Sequence, residues 1–196
     1  MPEIKSSSIQ MNEKSESHVY EPAEDTFLLL NAALKEAEEN DLILELGTGS
    51  GIIAKALSER LKISKVVTTD INPHAVRYAR SKGLDVIRTY LFRGLKGKFD
   101  LIIFNPPYLP MGEREIEDRW LEISWDGGDD GRRIINEFLD GVGRHLSKRG
   151  RFLLVVSSLS GMDEAIKSAE DEGFKIEIIS EEKLFFERLA VIKGSL

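Results

Sequence analysis

The stretch FDLIIFNPPY, residues 99–108, decides how this chain folds and where its chemistry is expected. Residues 101–104 are an uninterrupted apolar run, which is typical of a parallel strand covered on both faces of a sheet. The strand must end at Asn105, because Pro106 and Pro107 cannot donate to a sheet ladder. Ligands of open α/β sheets bind just beyond the carboxyl ends of the strands. The sequence therefore predicts a functional site at the NPPY segment, residues 105–108.

The NPPY segment suits a planar amino group. The Asn105 side-chain carbonyl is a good acceptor, and Pro106 and Pro107 leave backbone carbonyls without competing N–H groups. Two acceptors can hold both hydrogens of a planar –NH2, and the Tyr108 ring can stack on its flat face. Such positioning and electrostatic stabilisation need no strong base. We predict Asn105, Pro106 and Tyr108 as catalytic and the whole segment, with Pro107, as substrate-binding; the alternative is a proline-rich turn after a core strand.

Composition restricts the class of protein. The chain has 196 residues, 41% hydrophobic and 31% charged, enough for one α/β domain with a substantial core. It has no Cys, which excludes disulfides and thiolate metal sites. No segment approaches the roughly 20 apolar residues of a membrane span, and no apolar signal region is visible, so we expect a cytoplasmic protein. The net charge of -7 weakly disfavours nonspecific nucleic-acid binding.

A glycine-rich turn, GTGSG at residues 47–51, is the second site signal. It follows a predicted first strand, Leu42–Leu46, and precedes a predicted helix that starts at Ile52. Such a turn lets a ligand approach the backbone closely, and it fits dinucleotides as well as S-adenosylmethionine. Asp70 ends the second predicted strand, where a carboxylate can accept both hydroxyls of an adenosine ribose; the alternative is a cap for the next helix. Together these features indicate a nucleoside-binding unit.

The remaining chain is predicted as a short arm and one domain. Residues 1–17 are polar and without apolar periodicity, which indicates a flexible N-terminal arm, and residues 18–196 are predicted as a single domain. Residues 109–128 are predicted as a long loop, with Asp129 or Asp130 capping the following helix. The histidines lie far apart without ligand-like spacing, so no metal site is predicted. They are His18, His74 and His145.

The last two predicted strands identify the kind of sheet. Residues 174–179 and 184–192 both have strand-like patterns, and SEEK, residues 180–183, joins them. Because this link is too short for a helical crossover, the two strands must form an antiparallel hairpin. An α/β, Rossmann-like, seven-stranded sheet with a terminal antiparallel hairpin is the plan of class I methyltransferases that use S-adenosylmethionine. A dinucleotide-binding sheet would be parallel throughout.

Five motifs resemble, in order, those of the HemK/PrmC-like class I methyltransferases, which modify a glutamine amide in class-1 peptide-release factors. They match the short eukaryotic and archaeal branch: YEPAEDTFLLL, ELGTGSG, TDINPHAV, FDLIIFNPPY and WDGGDDGR. The resemblance implies S-adenosylmethionine as the cofactor. It also implies N5-methylation of a glutamine side chain in a release factor, and hence an S-adenosylmethionine-dependent protein-(glutamine-N5) methyltransferase.

The resemblance further implies how the cofactor is bound. Glu45 and the glycine turn would line its methionine half, Asp70 would hold the ribose, and Thr26 would close the pocket. Asn105 would bind the target amide and adjoin the cofactor. The expected cofactor-binding residues are Thr26, Glu45, Gly47, Gly49, Gly51, Asp70, Tyr90, Leu91 and Asn105.

One departure from the family pattern concerns the adenine. The family usually has Asp-Leu-Phe after the third strand, where the acid binds the adenine amino group, but this chain has Tyr90 before Leu91 and Phe92. A backbone carbonyl or a water must then replace the acid, or the cofactor affinity is lowered. Losing one charged hydrogen bond would cost roughly 1.5–3 kcal/mol.

The resemblance also implies a partner, because activity in the short branch depends on a small zinc-binding activator protein. Residues 84–89 are expected at a sheet edge, and an exposed edge can accept another chain's strand. Three alternative functions stay open. An adenine-N6 methyltransferase acting on DNA or RNA would hold the planar amino group of adenine with the same NPPY segment, although the acidic chain shows no target-recognition domain. Protein-lysine methylation and a binding scaffold without catalysis are the other two.

Overall fold

The computed structural model describes residues 18–61, 65–110 and 118–196, so the predicted arm at residues 1–17 lies outside the described residues. The strands are β1 (Leu42–Leu46), β2 (Lys65–Asp70), β3 (Asp85–Arg88), β4 (Phe99–Phe104), β5 (Leu146–Ser157), β6 (Lys175–Lys183) and β7 (Arg188–Ser195). Within these ranges they form one seven-stranded sheet in the order β3-β2-β1-β4-β5-β7-β6. Strands β1 to β5 pair in parallel, and β7 is antiparallel to both β5 and β6. The predicted fold class is confirmed.

Helices cover both faces of this sheet. They are α1 (Glu24–Glu36), α2 (Ile52–Arg60), α3 (Pro73–Ser81), α4 (Arg119–Trp125), α5 (Arg133–Val142) and α6 (Met162–Asp171), with a short 3-10 helix at Ser158–Ser160. Leu101 and Ile103 of β4 belong to the core that α1, α2 and α3 cover. Ile102 and Phe104 belong to the core under α5 and α6. The apolar run of β4 is therefore buried on both faces, as predicted.

The sheet topology fixes the place of the site. The strand order reverses between β1 and β4, which pair in parallel through Leu46 and Phe104. At this switch point the glycine turn after β1 and the NPPY segment after β4 both lie at the carboxyl ends of the strands. Open α/β sheets bind their ligands in the crevice at such a point.

The terminal hairpin exists, but its predicted link was wrong. Residues 180–183 belong to β6, where Lys183 pairs with Arg188 of β7, and the turn consists of residues 184–187. The Leu184 N–H donates to the Glu187 carbonyl at 2.7 Å and closes this turn. The polar SEEK residues are tolerated in a strand because β6 is an edge strand of the sheet.

Two predictions around residues 109–128 were also wrong. Helix α4 lies in the predicted loop, and the Asp118 side chain caps it by accepting from the Trp120 N–H at 2.8 Å. Helix α5 has Arg132 at its N-cap position, whereas Asp130 only accepts from the Arg132 N–H at 2.9 Å. Residues 111–117 lie outside the described residues.

Candidate active site

A cavity of about 480 Å³ opens at the carboxyl ends of β1, β2 and β4. This volume is in the range of small-molecule sites. Most of the predicted site residues line it: Thr26, Glu45, Gly47, Asp70, Tyr90, Leu91, Asn105, Pro106, Pro107 and Tyr108. The structure thus brings the glycine turn, the acid after β2 and the NPPY segment to one cavity, together with parts of α1, α4 and α5.

Asp25, in the first turn of α1, joins several parts of this cavity. It is 4% exposed, and it accepts hydrogen bonds from the Tyr20 hydroxyl at 3.0 Å and the Tyr108 hydroxyl at 3.3 Å. The N–H and the hydroxyl of Thr26 also donate to it, at 2.5 Å and 3.1 Å. Burial first, and the Asp25 charge second, raises the pKa of both tyrosines, so their hydroxyls remain protonated donors. The sequence analysis did not include Asp25 among the predicted site residues.

Asp25 also determines the orientation of Asn105. The Asn105 Nδ2 donates to Asp25 Oδ2 at 3.0 Å. Because a carboxylate only accepts, the amide nitrogen must face Asp25, and the amide oxygen must face away. This oxygen, Oδ1, is buried and has no hydrogen-bond partner in the described part of the chain. An unpaired buried acceptor is costly, and a ligand in the cavity that carries a donor group can satisfy it.

Glu45 is a buried acid below the glycine turn. It is 3% exposed and accepts from the Thr48 hydroxyl at 2.5 Å. Burial raises the pKa of Glu45 to about 8, and the nearby Asp70 charge adds to the rise, while the Thr48 hydrogen bond opposes it. Such a carboxyl is largely protonated at neutral pH and ionises when a cation approaches it. The position suits the ammonium group of an amino-acid moiety.

Asp70 ends β2 and is held by the backbone around it. Its two oxygens accept from the Gly49 N–H at 2.9 Å and the Asn72 N–H at 2.8 Å. Burial raises the pKa of Asp70, and these backbone bonds oppose the rise. A carboxylate offers about four acceptor positions, so both oxygens keep capacity for a ligand. The alternative role as a helix cap falls to Asn72, whose side chain accepts from the His74 N–H at 2.8 Å.

The glycines of the turn differ in position. Gly47 lines the cavity in a left-handed conformation with φ +62°. Gly49 and Gly51 do not line it. Gly49 instead fixes Asp70 through its N–H, and a Cβ on Gly51 would lie 2.7 Å from Leu84. Gly51 is thus needed for packing behind the turn, and direct cofactor binding by Gly49 and Gly51 stays a prediction.

The segment after β3 forms another corner of the cavity. Leu91 has φ 45°, a left-handed conformation that is uncommon for a residue with a side chain. The Tyr90 hydroxyl donates to Glu137 Oε2 of α5 at 2.8 Å, and the Arg93 guanidinium lies 4.9 Å from the Tyr90 ring. Burial first, and then Glu137, raises the pKa of Tyr90 to about 12. Glu137 itself lines the cavity, a placement that the sequence analysis missed.

The WDGGDDGR motif, residues 125–132, supports the NPPY segment from outside. The Leu109 N–H donates to the Trp125 carbonyl at 3.1 Å, which ties the chain just after the segment to the end of α4. A Cβ on Gly131, which has φ +76°, would lie 2.4 Å from the Tyr108 carbonyl oxygen. Any side chain at Gly131 would therefore displace Tyr108 from the cavity wall.

The chain before α1 is also tied across the cavity rim. The His18 ring contacts the Asp118 carboxylate, and the His18 carbonyl accepts from the Asn72 side chain at 2.6 Å. The His18 and His74 rings lie 4.5 Å apart, although these residues are distant in sequence. Among the residues that the structure describes, no group of three or more His, Asp or Glu side chains could hold a metal ion. Over the same residues, no helix has the length and apolarity needed to cross a membrane.

Fold and cavity together define a class I methyltransferase that uses S-adenosylmethionine. The seven-stranded sheet has the terminal antiparallel hairpin, and the cavity offers a buried acid at the glycine turn, a carboxylate at the end of β2 and, within the described residues, a buried acceptor without a hydrogen-bond partner. Residues 24–119 match the family described as the methyltransferase small domain.

Comparison with known proteins identifies the family. A Methanocaldococcus jannaschii protein, which carries the provisional name protein N5-glutamine methyltransferase, is 40% identical over 92% of this chain and 93% of its own. Human methyltransferase HEMK2 is 35% identical over 90% of this chain and 89% of its own. The structure of the E. cuniculi Mtq2-Trm112 complex, which methylates the eRF1 translation termination factor, superposes with a TM-score of 0.75 and 31% identity, covering 91% of this chain and 98% of that one. This chain belongs to the HemK/PrmC-like methyltransferases.

Proposed function

We propose that this enzyme methylates the side-chain amide nitrogen of a glutamine in a class-1 peptide-release factor. The observation that carries the proposal is the Asn105 amide, which Asp25 holds at 3.0 Å. Its buried oxygen faces away from the carboxylate and has no hydrogen-bond partner among the residues that the structure describes. S-adenosylmethionine supplies a methyl group bound to a sulfonium, which a nucleophile can accept. The chain's own residues must therefore bind and orient a weak nucleophile.

The NPPY segment is suited to this task. An amide nitrogen is a poor nucleophile because its lone pair is delocalised into the carbonyl. Asn105 Oδ1 accepts one of its hydrogens, and a backbone carbonyl of the segment accepts the other, which fixes the amide plane and turns the lone pair toward an electrophile. The nitrogen would bond to the methyl carbon as the carbon–sulfur bond breaks, and it would then give one of its two protons to water. Pro106 and Pro107 stiffen the backbone, and the Tyr108 hydroxyl is anchored on Asp25 at 3.3 Å, so its ring is fixed beside the amide.

The cofactor is proposed to lie at the carboxyl ends of β1 and β2. Glu45 takes the ammonium group beside the glycine turn, and Asp70 takes the ribose hydroxyls. Thr26 is buried where α1 meets the cavity, so it covers the cofactor on the N-terminal side. The cavity of about 480 Å³ is shared by these residues and the NPPY segment, which supports a direct transfer between two bound groups.

The names of the relatives support the choice of acceptor. The M. jannaschii relative is named for glutamine N5-methylation, and the E. cuniculi complex for methylation of eRF1. Adenine carries a similar planar –NH2 group, so the NPPY segment alone does not distinguish a glutamine substrate from an adenine substrate. The net charge of -7 favours a protein over a nucleic acid as the substrate.

A small zinc-binding activator is proposed as the partner in a heterodimer. The E. cuniculi relative is a complex of Mtq2 with Trm112, which supports a second subunit. In this chain β3 is an edge strand, as the sequence predicted, and Ile87 on it is 44% exposed. An edge strand with an apolar exposed side chain can pair with a strand of another chain.

The proposal is tested by identifying the methylated group. The protein, with and without the activator, is incubated with labelled cofactor and, separately, a release factor, a lysine-rich peptide and an adenine-containing oligonucleotide. Peptide mass spectrometry should place the label on one glutamine of the release factor, and glutamate in place of that glutamine should abolish it. Label on adenine or lysine instead would replace the proposal with one of these acceptors.

A further inference from the structure

The direction of the bound nucleoside follows from the strand order. Strand β2, which ends in Asp70, lies between β1 and β3. The glycine turn and Glu45 occupy the β1 side, where the amino-acid half of the cofactor is placed. A nucleoside with its ribose on Asp70 therefore extends its base toward the β3 side. Tyr90 and Leu91 follow β3 there and line the cavity.

The polar groups at this corner come from two elements. The Tyr90 hydroxyl is a donor that is already used, because it donates to Glu137 Oε2 at 2.8 Å. Glu137 lines the cavity from α5 and is solvent-exposed, and one hydrogen bond leaves most of the acceptor capacity of its carboxylate. Arg133, one turn earlier, also lines the cavity, and its guanidinium is paired with Asp126 at 3.0 Å.

We propose that Glu137 recognises the exocyclic amino group of the cofactor's adenine and that Tyr90 is the positioning residue that holds Glu137. A carboxylate accepts hydrogen bonds and cannot donate, so it favours an amino group and opposes a carbonyl oxygen at the same place on the base. The acid that recognises the adenine, Glu137, thus comes from α5. Tyr90, which follows β3, supplies the hydroxyl that holds this acid in place. The inference concerns the cofactor and holds whichever acceptor is methylated.

The test compares two nucleosides that differ at this group. S-adenosylhomocysteine and its inosine counterpart, which has a carbonyl in place of the amino group, are titrated calorimetrically into each variant without any methyl acceptor. The wild type should bind the adenosine compound at least about tenfold more tightly, the effect of one charged hydrogen bond. Glu137→Gln should lose most of that preference, because an amide can either donate or accept. Asp140→Asn, the same charge change at an exposed position of α5 outside the cavity, should keep it.

Tyr90→Phe separates the positioning role from a structural one. It should lower the preference for adenine by a smaller factor than Glu137→Gln, and it should leave the thermal unfolding midpoint near that of the wild type. Double substitution should show no further loss beyond Glu137→Gln. The inference is overturned if Glu137→Gln keeps the wild-type preference, or if it weakens both compounds equally.

Discussion

Asn105 Nδ2 lies 3.0 Å from Asp25 Oδ2, so the first turn of α1 holds the side chain that directly follows β4. The contact joins residues 80 positions apart in the sequence. It removes the rotational freedom of the amide and leaves the carbonyl oxygen as the group that a substrate meets. In the proposed mechanism, Asp25 therefore acts by orienting Asn105, and the neutral Asn105 amide is the group that contacts the substrate.

Asp25→Asn should lower the single-turnover rate roughly 10- to 100-fold, because a charged hydrogen bond worth about 1.5–3 kcal/mol no longer orients Asn105. The informative measurement is a double-mutant cycle with Asn105→Ala. If Asp25 acts through Asn105, adding Asp25→Asn to the Asn105→Ala variant should cost little more. Full additivity of the two effects would show that Asp25 has a separate role.

Asp70→Asn should weaken the binding of S-adenosylhomocysteine by roughly 10- to 100-fold, since a charged acceptor for the ribose hydroxyls becomes neutral. The wild-type protein should bind no NAD in the same calorimetric experiment. Asp85→Asn, an exposed acid at the start of β3, is the matched control and should bind normally. Unchanged affinity in Asp70→Asn would exclude the ribose role.

Cofactor binding should release a proton from Glu45. Burial raises the pKa of this group to about 8, so much of it is protonated near pH 7, and a bound ammonium group favours the ionised form. Because a proton leaves on binding, the affinity for S-adenosylhomocysteine should rise with pH between about 6 and 8. Calorimetry in two buffers of different ionisation enthalpy measures the proton directly. Equal heats in both buffers, or proton release that survives in Glu45→Gln, would contradict this assignment.

The same group should make the free enzyme less stable as the pH rises. The pKa of Glu45 is higher in the folded protein, about 8, than its ordinary value of 4.5, so the folded state holds the proton more tightly. The contribution is fully present below about pH 4.5 and is lost as the pH rises through 8. Relative to Glu45→Gln, the wild type should therefore lose free energy of unfolding over this interval, measured by urea titration. A parallel pH dependence in both proteins would count against it.

Ile87→Lys should weaken the association with the activator without unfolding the chain, since the exposed edge of β3 is where a partner strand is proposed to pair. Ile178→Lys is a matched control, because Ile178 is 46% exposed, Ile87 is 44% exposed, and β6 lies at the opposite edge. Co-purification of each variant with the activator gives the comparison. Loss of association in Ile178→Lys alone would move the interface to the other edge.

The fold could be predicted because its signals are local. The apolar run of β4, the stop at Pro106 and the glycine turn each depend on a few consecutive residues, and the strand order then placed Asp70 and Asn105 at one cavity. The hairpin turn was misplaced because polar residues are tolerated in an edge strand, which removes the pattern that marks a strand. Helix α4 was missed because it has only 7 residues, too few for a helical apolar period to be recognised in the sequence.

The site residues that were missed act through contacts between distant segments. Glu24 and Asp25 are equally good residues for the first turn of a helix, and only the packing of α1 shows that Asp25 is buried at 4% exposure. The pairing of Tyr90 with Glu137 joins the loop after β3 to α5, and no spacing rule connects them. In both cases the residue is recognised because an acid is buried or lines the cavity. Burial is a property of the folded chain, so the sequence alone does not reveal it.

The most direct test of the central claim is the single-turnover rate of Asn105→Ala on a release-factor glutamine. We expect a loss of about 100- to 1000-fold, or ~2.7–4 kcal/mol, because one preorganised group at the reacting centre is removed. Asn105→Asp should also be slow, since it places a second carboxylate beside Asp25. Affinity for S-adenosylhomocysteine should fall less than the rate does, and Asn136→Ala, at an exposed position on α5, should react like the wild type. A wild-type rate in Asn105→Ala would contradict the mechanism.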